Sequence, residues 1–334
     1  MKEQTPPVER VVIFDEAQRA WSQEQTSKFM QQRRGQEGFD KSEPEFLIEV
    51  MDRHEGWCVV ICLIGGGQEI NTGEAGLLEW LDALQGRFTN WSIFASSLLL
   101  EDDYVADEKA RERLEQPEVE KRPALHLSAS MRSFRADNLN AFVSALMDGE
   151  TDQARKHYAA LRAKYPVTLT RDLPTARSWL RAKARGSERF GMIASSGAHR
   201  LRPEGLNVRN SITPEYWFLN DRDDVRSSFY LEEVATEFDI QGLELDWSCL
   251  AWGADLRWSN NNWSNFSFRG TSWQKVNAQT RQQYQLNAYR VLLTRARQGM
   301  IIFVPKGDAS DPTRPPNFYN QTYEMLLRVG LPEA

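Results

Sequence analysis

Cysteine and histidine are scarce in this 334-residue chain, at three and four residues. That excludes a disulfide-stapled scaffold, and no two cysteine pairs stand at zinc-site spacing. Cys58 and Cys62 share one apolar run and read as core thiols of a reducing compartment. Long hydrophobic runs are missing too. The longest, around Val59–Ile64, is far short of the roughly 20 residues a membrane-spanning helix needs. The opening MKEQTPPVER has no apolar stretch and does not read as a signal peptide. The expectation is a cytoplasmic protein with no membrane partner. There is no excess of positive charge: 41 Lys and Arg face 47 Asp and Glu, a net charge of −6. Any nucleic-acid surface must therefore be local. Finally, no Gly-Lys-Ser or Gly-Lys-Thr occurs anywhere, so these residues contain no phosphate loop of the GxxxxGK type.

What is present opens with VVIFDEAQRAW, Val11–Trp21, where four apolar residues run straight into Asp15 and Glu16. A short apolar run reads as a buried parallel strand, and acids at its carboxyl end stand where open α/β sheets place ligands. There Asp15 can hold Mg²⁺ through a water and Glu16 can orient a water for attack on a γ-phosphate. A strand end followed by an acidic helix start accounts for the pair equally well.

The rest of the N-terminal third alternates: a polar stretch to about Ser42, a helix in PEFLIEVMDRH, a strand in WCVVICLI, an amphipathic helix in EAGLLEWLDAL and a strand in WSIFASSLLL. The acidic stretch Glu101–Pro123 reads as a solvated helix plus linker, which puts a domain boundary between 1–120 and 121–334. The second half repeats the alternation. ALHLSASMRS reads as strand and turn, ADNLNAFVSALMDG as a helix closed by Gly149, and TDQARKHYAALRAKYP as a helix. Strand VTLTR, basic helix LPTARSWLRAKARG and strand FGMIASS follow. Arg202–Asp224 is irregular; FYLEEVATEF, SCLAWGADLRW and MIIFVP supply strands, and YNQTYEMLLRVG a last helix. Strands alternating with helices predict an α/β fold with mainly parallel sheets.

Other stretches carry candidate chemistry. GGGQEI, Gly65–Ile70, is a glycine-rich turn from which Gln68 can sense a γ-phosphate. SMRS places Arg132 after a strand, and LLTRARQG places Arg295 and Arg297 before one. Fixed guanidinium groups suit charge developing on a phosphoryl group, although a lone arginine is most often in a surface ion pair. TEFDIQGLELD joins two strands through Gly242, with Glu244 able to accept from a ribose hydroxyl or simply lining an acidic turn. Trp247 and Trp252 read as core. Trp258, Trp263 and Trp273 stand among Ser and Asn in an expected loop, where each can stack a base of a single strand for about 1–3 kcal/mol. The Lys- and Arg-rich stretch Arg155–Arg189 is either a solvated helix face or a further strand contact.

Taken in order, FDEAQRAW, GGGQEINTGE, LSASMRSFRADNLNAFV, TEFDIQGLELDW with CLAWGADLRW, and LNAYRVLLTRAR resemble motifs II to VI of superfamily 1 helicases. The chain looks most similar to the Schlafen-group-3-like DNA/RNA helicase domain, and the resemblance covers nearly all of it. It implies two RecA-like domains, the first incomplete because the family's Walker A loop, with its strand and helix, would lie upstream of residue 1. It implies ATP and Mg²⁺ as cofactors, bound between those domains, and single-stranded DNA or RNA as partner. Asp15 then resembles the metal-binding acid, Glu16 the water-activating one and Gln68 the γ-phosphate sensor. Arg132 and Arg295 resemble the arginines that reach the triphosphate; Gly242 and Glu244 resemble residues near the ribose and the strand. The implied activity is that of an ATP-dependent helicase or translocase module, weak or inactive alone and completed by a protein partner that supplies the phosphate loop. The alternative is a non-catalytic nucleic-acid-binding or assembly subunit. A nuclease has no support in the spacing of the acids.

Overall fold

A computed structural model describes residues 5–35, 38–65, 76–100, 108–127 and 135–334. The chain forms two compact units, residues 1–129 and 130–334. In the first, strand β1 (Val11–Phe14) leads through a short turn into helix α1 (Gln23–Arg34) and helix α2 (Glu43–Met51). Ser42 caps α2 by accepting from the Glu45 amide, and Pro44 sits in its first turn, where a missing N–H costs nothing. Strand β2 (Val59–Cys62), helix α3 (Gly76–Gly86), strand β3 (Ile93–Ala95), helix α4 (Glu108–Leu114) and strand β4 (Val119–Lys121) complete the unit.

Strands β1 and β2 pair in parallel, Val11 opposite Val59 and Phe14 opposite Cys62; β3 and β4 form a second parallel pair. Amphipathic α3 serves two cores. Trp80 and Ala83 pack with Ala17, Ala20, Ile48 and Phe88, whereas Leu81 packs with Ala95, Leu99, Ala110, Leu114 and Val119. Phe14, Val60 and Cys62 lean on the first of these, and burial pushes the Cys62 thiol up to about 12. The alternate residues of the same strands face the other way and stay open: Val11 is 47% exposed, Ile13 62%, Val59 41% and Ile61 41%.

The second unit begins with helices α5 (Arg135–Met147) and α6 (Thr151–Leu161), separated by Gly149 in a left-handed conformation. Then come strand β5 (Val167–Thr170), helix α7 (Leu173–Lys183), strand β6 (Phe190–Ala194), short helix α8 (Pro214–Leu219) and strand β7 (Val234–Ala235). Strands β8 (Leu245–Ala251), β9 (Leu256–Ser259), β10 (Asn262–Arg269) and β11 (Ser272–Lys275) follow, then helix α9 (Gln279–Leu293), strand β12 (Ala296–Phe303) and helix α10 (Asn317–Val329). The central sheet is parallel throughout, in the order β5-β12-β8-β6-β7. Its successive residues enter opposite cores. Leu250 and Ile302 pack with α5, α6 and α10, while Cys249, Ala251, Ile301 and Phe303 pack with α7. A sheet buried on both faces needs the unbroken apolar runs seen in FGMIA and MIIF.

The α/β architecture is the one expected from the sequence. Several local expectations are corrected. The polar stretch before Ser42 holds α1, whose sequence QEQTSKFMQQRR has almost no apolar stripe. The acidic linker contains β4, a strand with one apolar residue, and WSIFASSLLL gives only three strand residues before a 3-10 turn over Ser97–Leu100. The strand expected at ALHLSAS is a 3-10 turn over Pro123–Leu125 where it is described. The tryptophan segment is no loop but the antiparallel sheet β11-β10-β9. Among the described residues no helix is long and apolar enough to cross a membrane.

Gly191, in the middle of β6, lies under Trp217: an added Cβ would sit 2.6 Å from Cζ2 of that ring. Trp217 is fully buried, so it has nowhere to retreat. Gly191→Ala is expected to lower the unfolding free energy by about 1–3 kcal/mol, read from urea or thermal unfolding, while a neutral result would show that the ring can move aside.

Candidate functional site

In the first unit the polar groups gather where β1 and β2 end. The Leu63 amide donates to the Phe14 carbonyl at 2.9 Å, and the Ala17 amide to the Leu63 carbonyl at 2.8 Å, extending the pairing beyond the strands. The chain turns sharply between these bonds. Glu16 takes a left-handed backbone, φ 53°, which costs a non-glycine residue about 1–2 kcal/mol. Its amide donates to Asp15 Oδ1 at 2.9 Å. Asp15 is exposed and Glu16 half-buried.

Gln18, 2% exposed, holds this corner. Its Nε2 donates to Glu16 Oε2 at 2.7 Å, and its Oε1 accepts from the Gly65 amide at 3.1 Å. One side chain thus fixes the Glu16 carboxylate to the turn that follows β2. Beneath it, the Trp80 indole donates to the Ala17 carbonyl at 2.8 Å, and Trp80 meets Phe14 edge-on at 5.2 Å. A left-handed acid held by a buried amide is a preset carboxylate, able to accept a proton or orient a water with little reorganisation. Asp15 adds an exposed hard-oxygen donor of the type Mg²⁺ prefers, which suits the metal role the resemblance implies.

In the second unit the polar groups gather at the carboxyl ends of β6, β7 and β8. Asp255 is completely buried: Oδ2 accepts from Ser195 Oγ at 2.7 Å and Gln285 Nε2 at 3.1 Å, and Oδ1 from the Tyr289 hydroxyl at 2.9 Å. Glu237, 3% exposed, accepts from the Ser196 amide at 2.8 Å and the Ser196 hydroxyl at 2.7 Å. Burial raises the Glu237 carboxyl above its ordinary value; the Ser196 bonds oppose the rise and nearby Asp255 adds to it. Among the described residues, both acids are held by neutral dipoles.

Of the residues singled out in the sequence, Gln68 and Arg132 lie outside the described residues. Arg295 is buried between α9 and β12, and its carbonyl accepts from the Leu245 amide at 3.0 Å. Gly242 has φ 73°, so the turn between β7 and β8 needs the glycine there. Glu244 is ion-paired with Arg297 at 2.8 Å. The loop reading of the tryptophans is overturned. Trp258 and Trp263 are cross-strand partners, 4% and 8% exposed, and Trp263 donates to the Leu146 carbonyl at 3.0 Å. Buried in the core, they present no face to a base. Trp273 is half-buried and donates to the Thr313 carbonyl at 2.8 Å. Asn260 and Asn261, both at positive φ, make the two-residue turn that sets this register. That Asn-Asn pair was the signal for a hairpin. Gln18, Glu237 and Asp255 were not anticipated.

Parallel sheets with polar side chains collected at their carboxyl strand ends mark an α/β protein of the open-sheet class. Within it, the chain belongs to the Schlafen group 3, DNA/RNA helicase domain family, whose profile matches residues 1–306. It is a helicase-like module. No curated protein matches the chain.

Two outcomes test this geometry. Gln18→Leu, similar in shape but without polar atoms, strands the Gly65 amide and the Glu16 carboxylate; a loss of about 1–3 kcal/mol is expected, with faster hydrogen exchange at Gly65. For Glu237, the raised folded value means that its contribution to stability is fully present at low pH and is lost as pH rises through that value. Stability measured relative to Glu237→Gln should therefore fall from pH 4 to pH 8, and a flat difference would refute the raised value.

Proposed function

We propose that this chain is an ATP-dependent DNA or RNA helicase or translocase module of RecA-like architecture, acting in the cytoplasm. The observation that carries the reading is the Glu16 carboxylate, set in a left-handed turn at the end of a parallel strand and held by Gln18. Membership of a DNA/RNA helicase domain family over residues 1–306 supports it. Asp15 would hold Mg²⁺ and Glu16 would orient water and receive its proton. Bound Mg²⁺ supplies the positive charge that offsets the build-up on phosphate oxygens. Gln68 would sense the γ-phosphate, and Arg132 and Arg295 would counter developing charge. Gly242 and Glu244 would serve near the ribose, with Glu244 released from Arg297 to do so.

These 334 residues offer no Gly-Lys-Ser or Gly-Lys-Thr, so the lysine and amide cradle that hold the triphosphate are not among their contributions. Hydrolysis by this chain alone is then slow or absent, and a protein partner carrying a phosphate loop would restore it. The same absence favours a second reading, a non-catalytic nucleic-acid-binding subunit that keeps the fold.

A titration separates the two. Under the helicase reading, Mg²⁺-ATP changes the affinity of the chain for a labelled single strand several-fold, and Asp15→Asn removes the change. Under the second reading, binding weakens with salt but is indifferent to nucleotide. Turnover by the isolated chain is expected at background; a rate near the roughly 1–100 s⁻¹ of phosphoryl-transfer enzymes would sink the account of the missing loop.

A further inference from the structure

Helix α8 ends at Leu219, and the chain turns back over the surface through residues 220–226 before Ser227 and Ser228 are buried. The turn is pinned at both ends. The Asn220 carbonyl accepts from the Ser227 hydroxyl at 2.7 Å and from Arg189 Nη2 at 3.0 Å, and the Asn220 side-chain amide donates to Asp224 Oδ2 at 2.6 Å. The Ser227 amide donates to the Asp224 carbonyl at 2.9 Å and closes the loop on itself. On this fixed frame Leu219 stays 70% exposed and Val225 65%. Both line one open depression of about 740 Å³, with Asp221, Asp223, Asp224 and Arg226 around them. Exposed aliphatic side chains scattered singly are ordinary, but two that share a depression on a pinned loop point to a surface that binds.

Charge decides what can sit there. Arg226 is spent on Asp224, at 2.7 and 3.0 Å, with its guanidinium 4.1 Å from the centre of the Tyr216 ring. Arg222 turns to the chain itself, donating to the Gly186 carbonyl at 3.0 Å and lying 5.1 Å from the Phe229 ring. Asp221 accepts from the Arg222 amide at 2.8 Å, and among the described residues no cation pairs with Asp223. From Ile212 to Glu233 six acids face two arginines, so the negative charge is in surplus. Such a rim repels a polyanion, whether a nucleic-acid strand or an anionic lipid surface, and attracts and steers lysine and arginine. We infer that this depression docks a short segment of a partner protein, its aliphatic side chains against Leu219 and Val225 and its flanking lysines or arginines over Asp221 and Asp223. The surface stands apart from the helicase reading, since none of its residues belongs to the strand-end clusters.

The test uses the 334-residue chain and three labelled octapeptides followed by fluorescence anisotropy. One carries two leucines among lysines, the second has glutamate in place of every lysine, and the third has serine in place of each leucine. The first is expected to bind about tenfold more tightly than either of the others, and to weaken severalfold between roughly 50 and 200 mM salt. Leu219→Ser with Val225→Ser should erase the preference for leucine, and Asp223→Lys the preference for lysine. These changes touch exposed side chains that bond to nothing in the fold, so circular dichroism and the melting temperature should stay as in the parent. Equal binding of the three peptides, or binding that the folded variants leave unchanged, overturns the site. Self-association in sedimentation that Leu219→Ser abolishes would make a second copy the occupant and overturn the partner. Calcium binding in calorimetry that Asp223→Asn abolishes would make the acids a cation site and overturn it equally.

Discussion

Parallel strands cannot be joined by a tight turn: each must be followed by a crossover before the next strand can run the same way. That constraint decides where polar side chains can collect in this protein. Every strand of the central sheet points its carboxyl end to one side, so β6 delivers Ser195 and Ser196, β7 delivers Glu237, and the turn after β8 delivers Asp255, with Ser195 bonded to Asp255 and Ser196 to Glu237. In the first unit the same rule brings Asp15, Glu16 and Gly65 to the shared end of β1 and β2. The apolar runs form the strands, and the direction of the strands assembles the polar groups.

Buried carboxylates need partners, and at Asp255 and Glu237 the described residues that supply them are neutral donors. Hydroxyls of Ser195, Ser196 and Tyr289 and the amide of Gln285 surround Asp255 and Glu237. Neutral donors satisfy the oxygens but cancel less of the desolvation cost than a guanidinium would, which is why burial still dominates at Glu237. Arg297, by contrast, engages Glu244 at the surface, where solvent screens the pair and its loss costs little.

Much of the architecture was legible because it rests on local signals. WCVVICLI, FGMIASS and MIIFVP announce strands by continuous apolar residues; EAGLLEWLDAL announces a helix by period. The misses have equally physical causes. α1 shows no apolar stripe in its sequence to read, and Val119-Glu120-Lys121 is a strand only because β3 lies beside it. Gln18 is invisible in sequence since its role spans two strand ends 47 residues apart and depends on their register. The tryptophans misled through composition: Ser and Asn around them suggested a loop, whereas alternation and an Asn-Asn turn sent Trp258 and Trp263 inward.

The in-register row of Val11, Ile13, Val59 and Ile61 puts aliphatic surface on the open face of β1 and β2. Aliphatic surface of this kind attracts its like more strongly as water warms and as sulfate or phosphate is added, and less in the cold. Concentrated samples are thus kept dispersed by chilled, low-salt buffers rather than by the precipitating salts that tighten most folded proteins.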